Sequence, residues 1–221
     1  MPGFIAIITN LIEKFSLHFR RHLANHVCER QIMKKLLTIA VVIIGVAGVN
    51  AQQTTQKTAS QSTETAGFQL ALTPDIAIHP KTTTIRGVSL DIWGENPQHS
   101  FNLGFVNGST GKSSGFSWAF IANYADSYTG VAWGIVNISH QKFVGWQGSC
   151  VNYSQGYFKG FQSGLVNVAE EAHGLQWGVV NYTESLNGVQ IGLVNVIRDN
   201  PWFNEFPNKL AKGFPIANWS F

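Results

Sequence analysis

A short pattern of about eight residues recurs seven times between positions 100 and 195, and it limits the folds open to this chain. Its clearest copies are GFQSGLVN at 160–167, GLQWGVVN at 174–181 and GVQIGLVN at 188–195. Every copy ends in an asparagine, and successive asparagines are 14–16 residues apart: Asn107, Asn123, Asn137, Asn152, Asn167, Asn181 and Asn195. Self-similarity at a nearly fixed period is typical of repeat architectures.

Apolar residues alternate with polar or small residues within each copy. In the last copy, Val189, Ile191 and Leu193 share one face, whereas Gln190 and Gly192 lie on the other. Alternation with period two predicts a β-strand, and the recurring glycines disfavour a helix. The spacers between copies, such as GSTGKSS and YADSYT, resemble turns. The sequence therefore predicts an all-β domain in which each repeat is one strand and a short turn.

Two architectures can be built from such a unit. Apolar-out and small-or-polar-in alternation, few basic residues in the strands and an aromatic last residue favour an antiparallel meander closed into an outer-membrane-type β-barrel of about ten strands. The similar length of all spacers favours a β-solenoid with one coil per 14–16 residues. Apolar residues at matched spacer positions, such as Ile138 and Phe143, would suit a second strand of a coil. Both alternatives stay open at this point.

The repeated asparagines and glycines are expected to have structural roles. An asparagine at a strand end either bonds its own turn or, in a solenoid, stacks in a ladder. Glycine opens the clearest copies, at Gly160, Gly174 and Gly188. A further set of aromatic residues is predicted to lie at a surface or membrane interface, where aromatic girdles occur: Trp118, Trp133, Trp146, Trp177 and Phe221.

The amino-terminal region has the composition of an export signal. Residues 33–51 combine Met-Lys-Lys, an apolar run and small residues before Ala51, which predicts a secretory signal peptide. Residues 1–32 are then an amino-terminal extension or follow from a misassigned start, and polar residues 52–66 form a predicted disordered leader. The β-repeat domain spans 67–221.

Charge and cysteine content argue against nucleic acid as a partner and against an intramolecular disulfide. The whole chain carries a net charge of +3, but after residue 51 nine Lys and Arg face ten Asp and Glu, so the predicted mature chain is near −1. No basic stripe for nucleic acid is expected. Cys150 is the one cysteine after residue 51, so an intramolecular disulfide is not expected there.

No motif predicts catalysis, a metal or a cofactor. Ser113 lies in a G-x-S-x-G match, but the match falls in a spacer without the helix that a nucleophile elbow needs. The histidines lack metal-ligand spacing, and the adjacent Glu170 and Glu171 would face opposite ways on a strand. The chain is therefore predicted not to be an enzyme.

The repeat pattern, together with the opening Gly67–Pro74 and the close Phe214–Phe221, resembles the surface repeat-containing proteins first noted in Leptospira. The resemblance covers the predicted mature region. It implies an exported protein of the outer membrane or cell surface of a two-membrane bacterium, without an assigned biochemical activity. The expected role is structural, adhesive or that of a narrow pore, with outer-membrane lipid and its insertion machinery as partners. The alternative is a secreted or surface-tethered β-solenoid that binds a host or glycan ligand.

Overall fold

The computed structural model describes residues 64–221. The predicted signal peptide at 33–51, the extension at 1–32 and most of the leader lie outside these residues. The described part is all-β, as predicted, and contains no helix. Its five strands, numbered in chain order, are β1 (Thr65–Thr73), β2 (Ile76–Ala77), β3 (Thr84–Asn96), β4 (His99–Ile197) and β5 (Gly213–Ser220).

The strands form one mixed sheet in the order β2-β1-β3-β4-β5, which is not closed into a barrel. β3 pairs with β4 in parallel, with Leu90 opposite Leu103 and Trp93 opposite Val106. β1 also pairs with β3 in parallel. The predicted antiparallel meander is therefore wrong for β1, β3 and β4. Parallel strands need a connection that carries the chain back to the end of the sheet where the previous strand began.

The spacers do not form the predicted turns. β4 includes all the spacers from 108 to 187, and it contains residues with positive φ, both in spacers at Gly111 and Gly156 and at the opening glycines of the copies. The described residues contain five strands, whereas about ten were predicted. The physical reason is that most spacers bury apolar side chains three or more residues apart, such as Ala169 and Ala172. Contacts between these side chains in neighbouring repeats, such as Phe143 stacked on Phe158, hold the spacers in place.

Spacer residues supply most of the apolar core. The rings of Tyr128, Phe143 and Phe158 stack in succession, with centroid distances of 5.7 and 6.0 Å. Small and aliphatic residues extend the same cluster: Ala125, Ala132, Ala169, Ala172, Leu186 and Ile197. Burial of each large side chain contributes about 1.5–3 kcal/mol.

β5 covers the carboxy-terminal edge of the repeat region. It pairs antiparallel with the last copy, from Gly188 opposite Ser220 to Val196 opposite Gly213. The buried Asn218 fixes the preceding loop, because its Nδ2 donates a 2.9 Å hydrogen bond to the Ala211 carbonyl. Pairing with β5 protects this edge of the repeat region.

Candidate functional site

The repeat copies place carboxamides inward and apolar side chains outward. Gln162, Gln176 and Gln190 are fully buried, and the asparagines that end the copies are also buried. Most of the outward positions, two residues apart, carry apolar side chains, of which Leu165, Trp177 and Leu193 are 57%, 61% and 70% exposed. We call this outward surface of the copies from 100 to 195 the apolar face. It is the feature that any function must explain.

The seven predicted asparagines lie in one ladder. Each Nδ2 donates to the Oδ1 of the next asparagine along the chain, from Asn107 to Asn195, at 2.8–3.3 Å. Most also donate to a backbone carbonyl one repeat ahead, as Asn167 does to Trp177 at 2.9 Å. The asparagines therefore stack in a ladder, which is the second of the two roles predicted for them. Buried carboxamides avoid a desolvation cost when their hydrogen-bonding groups are partnered in this way.

A second ladder consists of glutamines and was not predicted. Gln162 donates from Nε2 to Oε1 of Gln147 at 2.8 Å, and the donors of Gln176 and Gln190 follow at 2.7 Å each. These donors point to the preceding repeat, whereas the asparagine donors point to the following one. The signal that could have found this ladder is glutamine at the third position of four successive copies.

The glycines that open the copies occupy a bend that other residues cannot adopt. Gly160, Gly174 and Gly188 have φ of 133°, 127° and 147°. A Cβ added to any of them would collide with the carbonyl oxygen of the glycine that opens the preceding copy. Glycine is required there both by the positive φ and by the close approach of the neighbouring backbone.

The predicted interface aromatics lie on the surface. Trp118, Trp133, Trp146 and Trp177 are all exposed on the apolar face, and Phe221 is exposed at the chain end. A stripe of aromatic rings runs across successive copies with centroid distances of 4.9–5.9 Å: Phe101, Phe116, Trp133, Trp146 and Phe161. Trp133 is the fourth residue of its copy, whereas the other four rings belong to second residues. Trp133 joins the stripe because it leans over Gly148, whose missing side chain leaves room for the indole.

A shallow notch of about 590 Å³ interrupts the apolar face. It arises because Gly148 and Ser163 occupy the position that holds tryptophan in three other copies. Trp146 closes one side by donating from Nε1 to Ser163 Oγ at 2.9 Å.

Ser113, Glu170 and Glu171 all have hydrogen-bond partners within the fold. Ser113 Oγ is buried, accepts from the backbone N–H of Gln98 at 2.9 Å and donates to the Thr110 carbonyl at 2.8 Å. Glu170 accepts from the backbone N–H of Gly156, and Glu171 contacts His173. Within residues 64–221, no cluster of three or more His, Cys, Asp or Glu could hold a metal ion. Cys150 is a free, exposed thiol.

Asp91 carries a carboxyl group that is buried inside the fold. Asp91 is buried, and burial raises its pKa to about 6 even though the Ser89 hydroxyl, donating at 2.7 Å, opposes the shift. Residues 87–94 (GVSLDIWG) form a degenerate earlier copy of the repeat, in which Asp91 replaces the glycine found at this position in most later copies. The Asp91 Oδ1 has no hydrogen-bond partner among the described residues.

Within the described range, no helix has the length and apolar character needed to cross a membrane. Comparison of the chain with known family models, with curated proteins and with solved structures gives no match. The apolar face and the ladders beneath it are therefore the basis for inferring function.

Proposed function

We propose that residues 64–221 form a β-solenoid, with one coil for each 14–16 residues. Three independent sets of contacts support this architecture: the parallel pairing of β3 with β4, the stacked opening glycines and the carboxamide ladders. All three connect a residue to its counterpart in the neighbouring repeat. In a solenoid each coil contacts only its neighbours, which accounts for this pattern.

We further propose that the protein is an exported, non-catalytic module of a bacterial surface that attaches peripherally to lipid through its apolar face. The observation that carries the proposal is the orientation of the repeat, since Leu165 and Leu193 face outward over buried Gln162 and Gln190. The apolar face cannot become the core, because the inward positions are already filled by hydrogen-bonded carboxamides.

The size of the apolar face requires a cover. Seven stacked repeat copies spaced about 4.8 Å apart, with three outward positions each, span roughly 600–700 Å². This value reaches the upper end for the largest apolar patch on a soluble monomer, which is about 300–600 Å². Exposure of such a surface to water is unfavourable by about 25 cal/mol per Å².

The composition of the apolar face favours lipid as the cover. Its outward positions from 101 to 193 contain no charged residue, and charged groups facing lipid cost a few kcal/mol each. Four tryptophans lie on this surface, and tryptophan is enriched where an apolar phase meets water. The lipid of an outer membrane is the partner that the predicted export signal would make accessible.

Flotation of the full chain with lipid vesicles tests this function. We expect the wild-type protein to float with vesicles and the double variant Leu165→Gln/Leu193→Gln to lose about tenfold in affinity per leucine, because each loses apolar burial. Ser185→Gln adds the same side chain at an exposed spacer position and should float like wild type.

Two outcomes would overturn the proposal. The first is wild-type protein that stays at the bottom of the gradient with every vesicle composition. The second is a stable dimer that dissociates in the leucine double variant, since that result assigns the apolar face to a second copy of the chain.

A further inference from the structure

We infer that an aromatic loop at the carboxy-terminal end of the apolar face enters the lipid interface, an inference that rests on the lipid attachment proposed above. The aromatic loop comprises residues 202–207 (WFNEFP), between β4 and β5. Trp202, Phe203 and Phe206 are each more than half exposed. Three large aromatic side chains exposed within six residues mark a contact surface, because such side chains are normally covered in a folded protein.

The aromatic loop is attached to the end of the apolar face. Trp219 of β5 pairs with Val189 of the last copy, and side chains of paired residues in antiparallel strands lie on the same side of the sheet. Trp219 therefore extends the outward surface by one strand. Its Nε1 donates a 2.8 Å hydrogen bond to the Pro207 carbonyl, and its ring centroid is 6.5 Å from that of Phe206. The loop thus continues the surface for which lipid is the proposed cover.

Hydrogen bonds fix the chain on both sides of the aromatic loop. Before the loop, the buried Asn200 donates from Nδ2 to the Trp219 carbonyl at 3.1 Å. After the loop, the Asn208 carbonyl accepts from the backbone N–H of Phe221 at 3.1 Å. A segment that is already ordered loses little further conformational freedom when its side chains bind, so the loop is preorganised for contact.

Two strained backbone positions accompany the exposed aromatic side chains. Within residues 64–221, the non-glycine residues with positive φ are Phe203, at 57°, and Ile216 of β5, at 70°. This conformation is costly for bulky residues and above all for a β-branched one. Both side chains are exposed, and the Phe203 N–H donates to the Leu210 carbonyl at 3.0 Å, which helps to hold the strained backbone. Strain of this kind persists where the surroundings impose it and clusters at functional sites.

The charge within the aromatic loop limits how deeply it can enter lipid. Glu205 is the charged residue of the loop, and its carboxylate pairs with Lys209 Nζ at 3.0 Å. A charged side chain is costly at the centre of a bilayer, so this pair should stay at the level of the headgroups. Tryptophan prefers the same level, which suits Trp202. The loop therefore fits the boundary between headgroups and acyl chains, with its phenylalanines towards the acyl chains.

A fluorescent label in the loop tests the inference on the full chain. Nitrobenzoxadiazole is attached at Asn204→Cys in a Cys28→Ser/Cys150→Ser background, and vesicles of phosphatidylcholine and phosphatidylglycerol are added. We expect the emission to move to shorter wavelength and to gain intensity, because the label leaves water. The matched control carries the same label at Ser185→Cys, an exposed spacer position, and should show no change.

A second measurement removes the aromatic side chains. Trp202→Ser/Phe206→Ser should lower vesicle affinity by roughly tenfold or more, because two apolar side chains no longer enter the interface. Asn204→Ser/Asn208→Ser changes two exposed polar residues in and beside the loop and should bind like wild type. Circular dichroism and urea midpoints check that both variants fold.

The outcomes separate this inference from the proposed function. Vesicle binding without a change in the label at Asn204→Cys, or equal affinity of the two double variants, overturns the role of the loop and leaves lipid attachment standing. A change that appears with rising protein concentration and without vesicles assigns the loop to a second copy of the chain and also overturns the inference. Absence of wild-type binding to vesicles overturns the lipid attachment itself.

Discussion

The side-chain Nδ2 of Asn152 donates a 2.9 Å hydrogen bond to Oδ1 of Asn167, fifteen residues further along the chain. The same Nδ2 donates to the Ser163 carbonyl, and Asn152 Oδ1 accepts from Asn137. A buried carboxamide costs little to desolvate when both its N–H and its C=O groups have hydrogen-bond partners. Loss of one asparagine of the ladder leaves a group without a partner on each of its two neighbours. The ladder therefore connects the stability of each repeat to that of the next.

Asn167→Ala should lower the free energy of unfolding by about 2–5 kcal/mol. It leaves one of the two N–H groups of Asn152 Nδ2 without its acceptor and Asn181 Oδ1 without its donor, and each stranded buried group costs about 1–3 kcal/mol. Urea denaturation measures the loss. Asn187→Ala removes the same side chain at an exposed position outside the ladder and should change stability by less than about 0.5 kcal/mol. Equal losses in the two variants would contradict a stabilising ladder.

The opening glycines lead to a second prediction. Gly145 has a φ of 133°, and a Cβ there would collide with the Gly130 carbonyl oxygen. Gly145→Ala should cost about 3 kcal/mol or more, because backbone strain and the collision add. Thermal unfolding followed by circular dichroism measures the effect. Gly67→Ala is the control, since a Cβ at Gly67 has no neighbour within 4 Å, and a comparable loss there would argue against the close stacking of the bends.

The alternation of the repeat and its asparagine column could be recognised in the sequence, because both depend on local pattern. The extended form of the spacers could not be recognised in the sequence, since Ser, Thr, Gly and Asp favour turns locally. Their extended form depends on contacts with neighbouring repeats, such as the stacking of Phe143 on Phe158. In these spacers the tertiary contacts outweigh the local preference for turns.

The sequence also did not determine whether neighbouring repeats pair in parallel or antiparallel. One unit of strand plus spacer suits an antiparallel meander or a parallel stack, and the choice depends on whether the spacer reverses the chain or returns it to the same side. The inward glutamines were predicted only to lie on the face of polar and small residues, although Gln162 and Gln176 bond each other directly.

Asp91 should make the stability of the domain depend on pH. Burial raises its pKa from 3.8 to about 6, so the folded chain retains a proton that the unfolded chain releases. Above pH 3.8 the unfolded state binds fewer protons, and stability therefore falls as pH rises until the folded-state group ionises near pH 6. The difference corresponds to a loss on the order of 2–3 kcal/mol by neutral pH.

Asp91→Asn replaces the carboxyl with a neutral group of similar shape and should remove this loss. We expect the variant to be more stable than wild type by about 2–3 kcal/mol at about pH 7.5, and the advantage to shrink to a few tenths at about pH 4. Urea denaturation at the two pH values measures it. Asp75→Asn is the control, because the Asp75 side chain is 82% exposed and should give no comparable gain at either pH. If the Asp91 variant gained the same amount at both pH values, the effect would come from packing, and ionisation of a buried carboxyl would not be its cause.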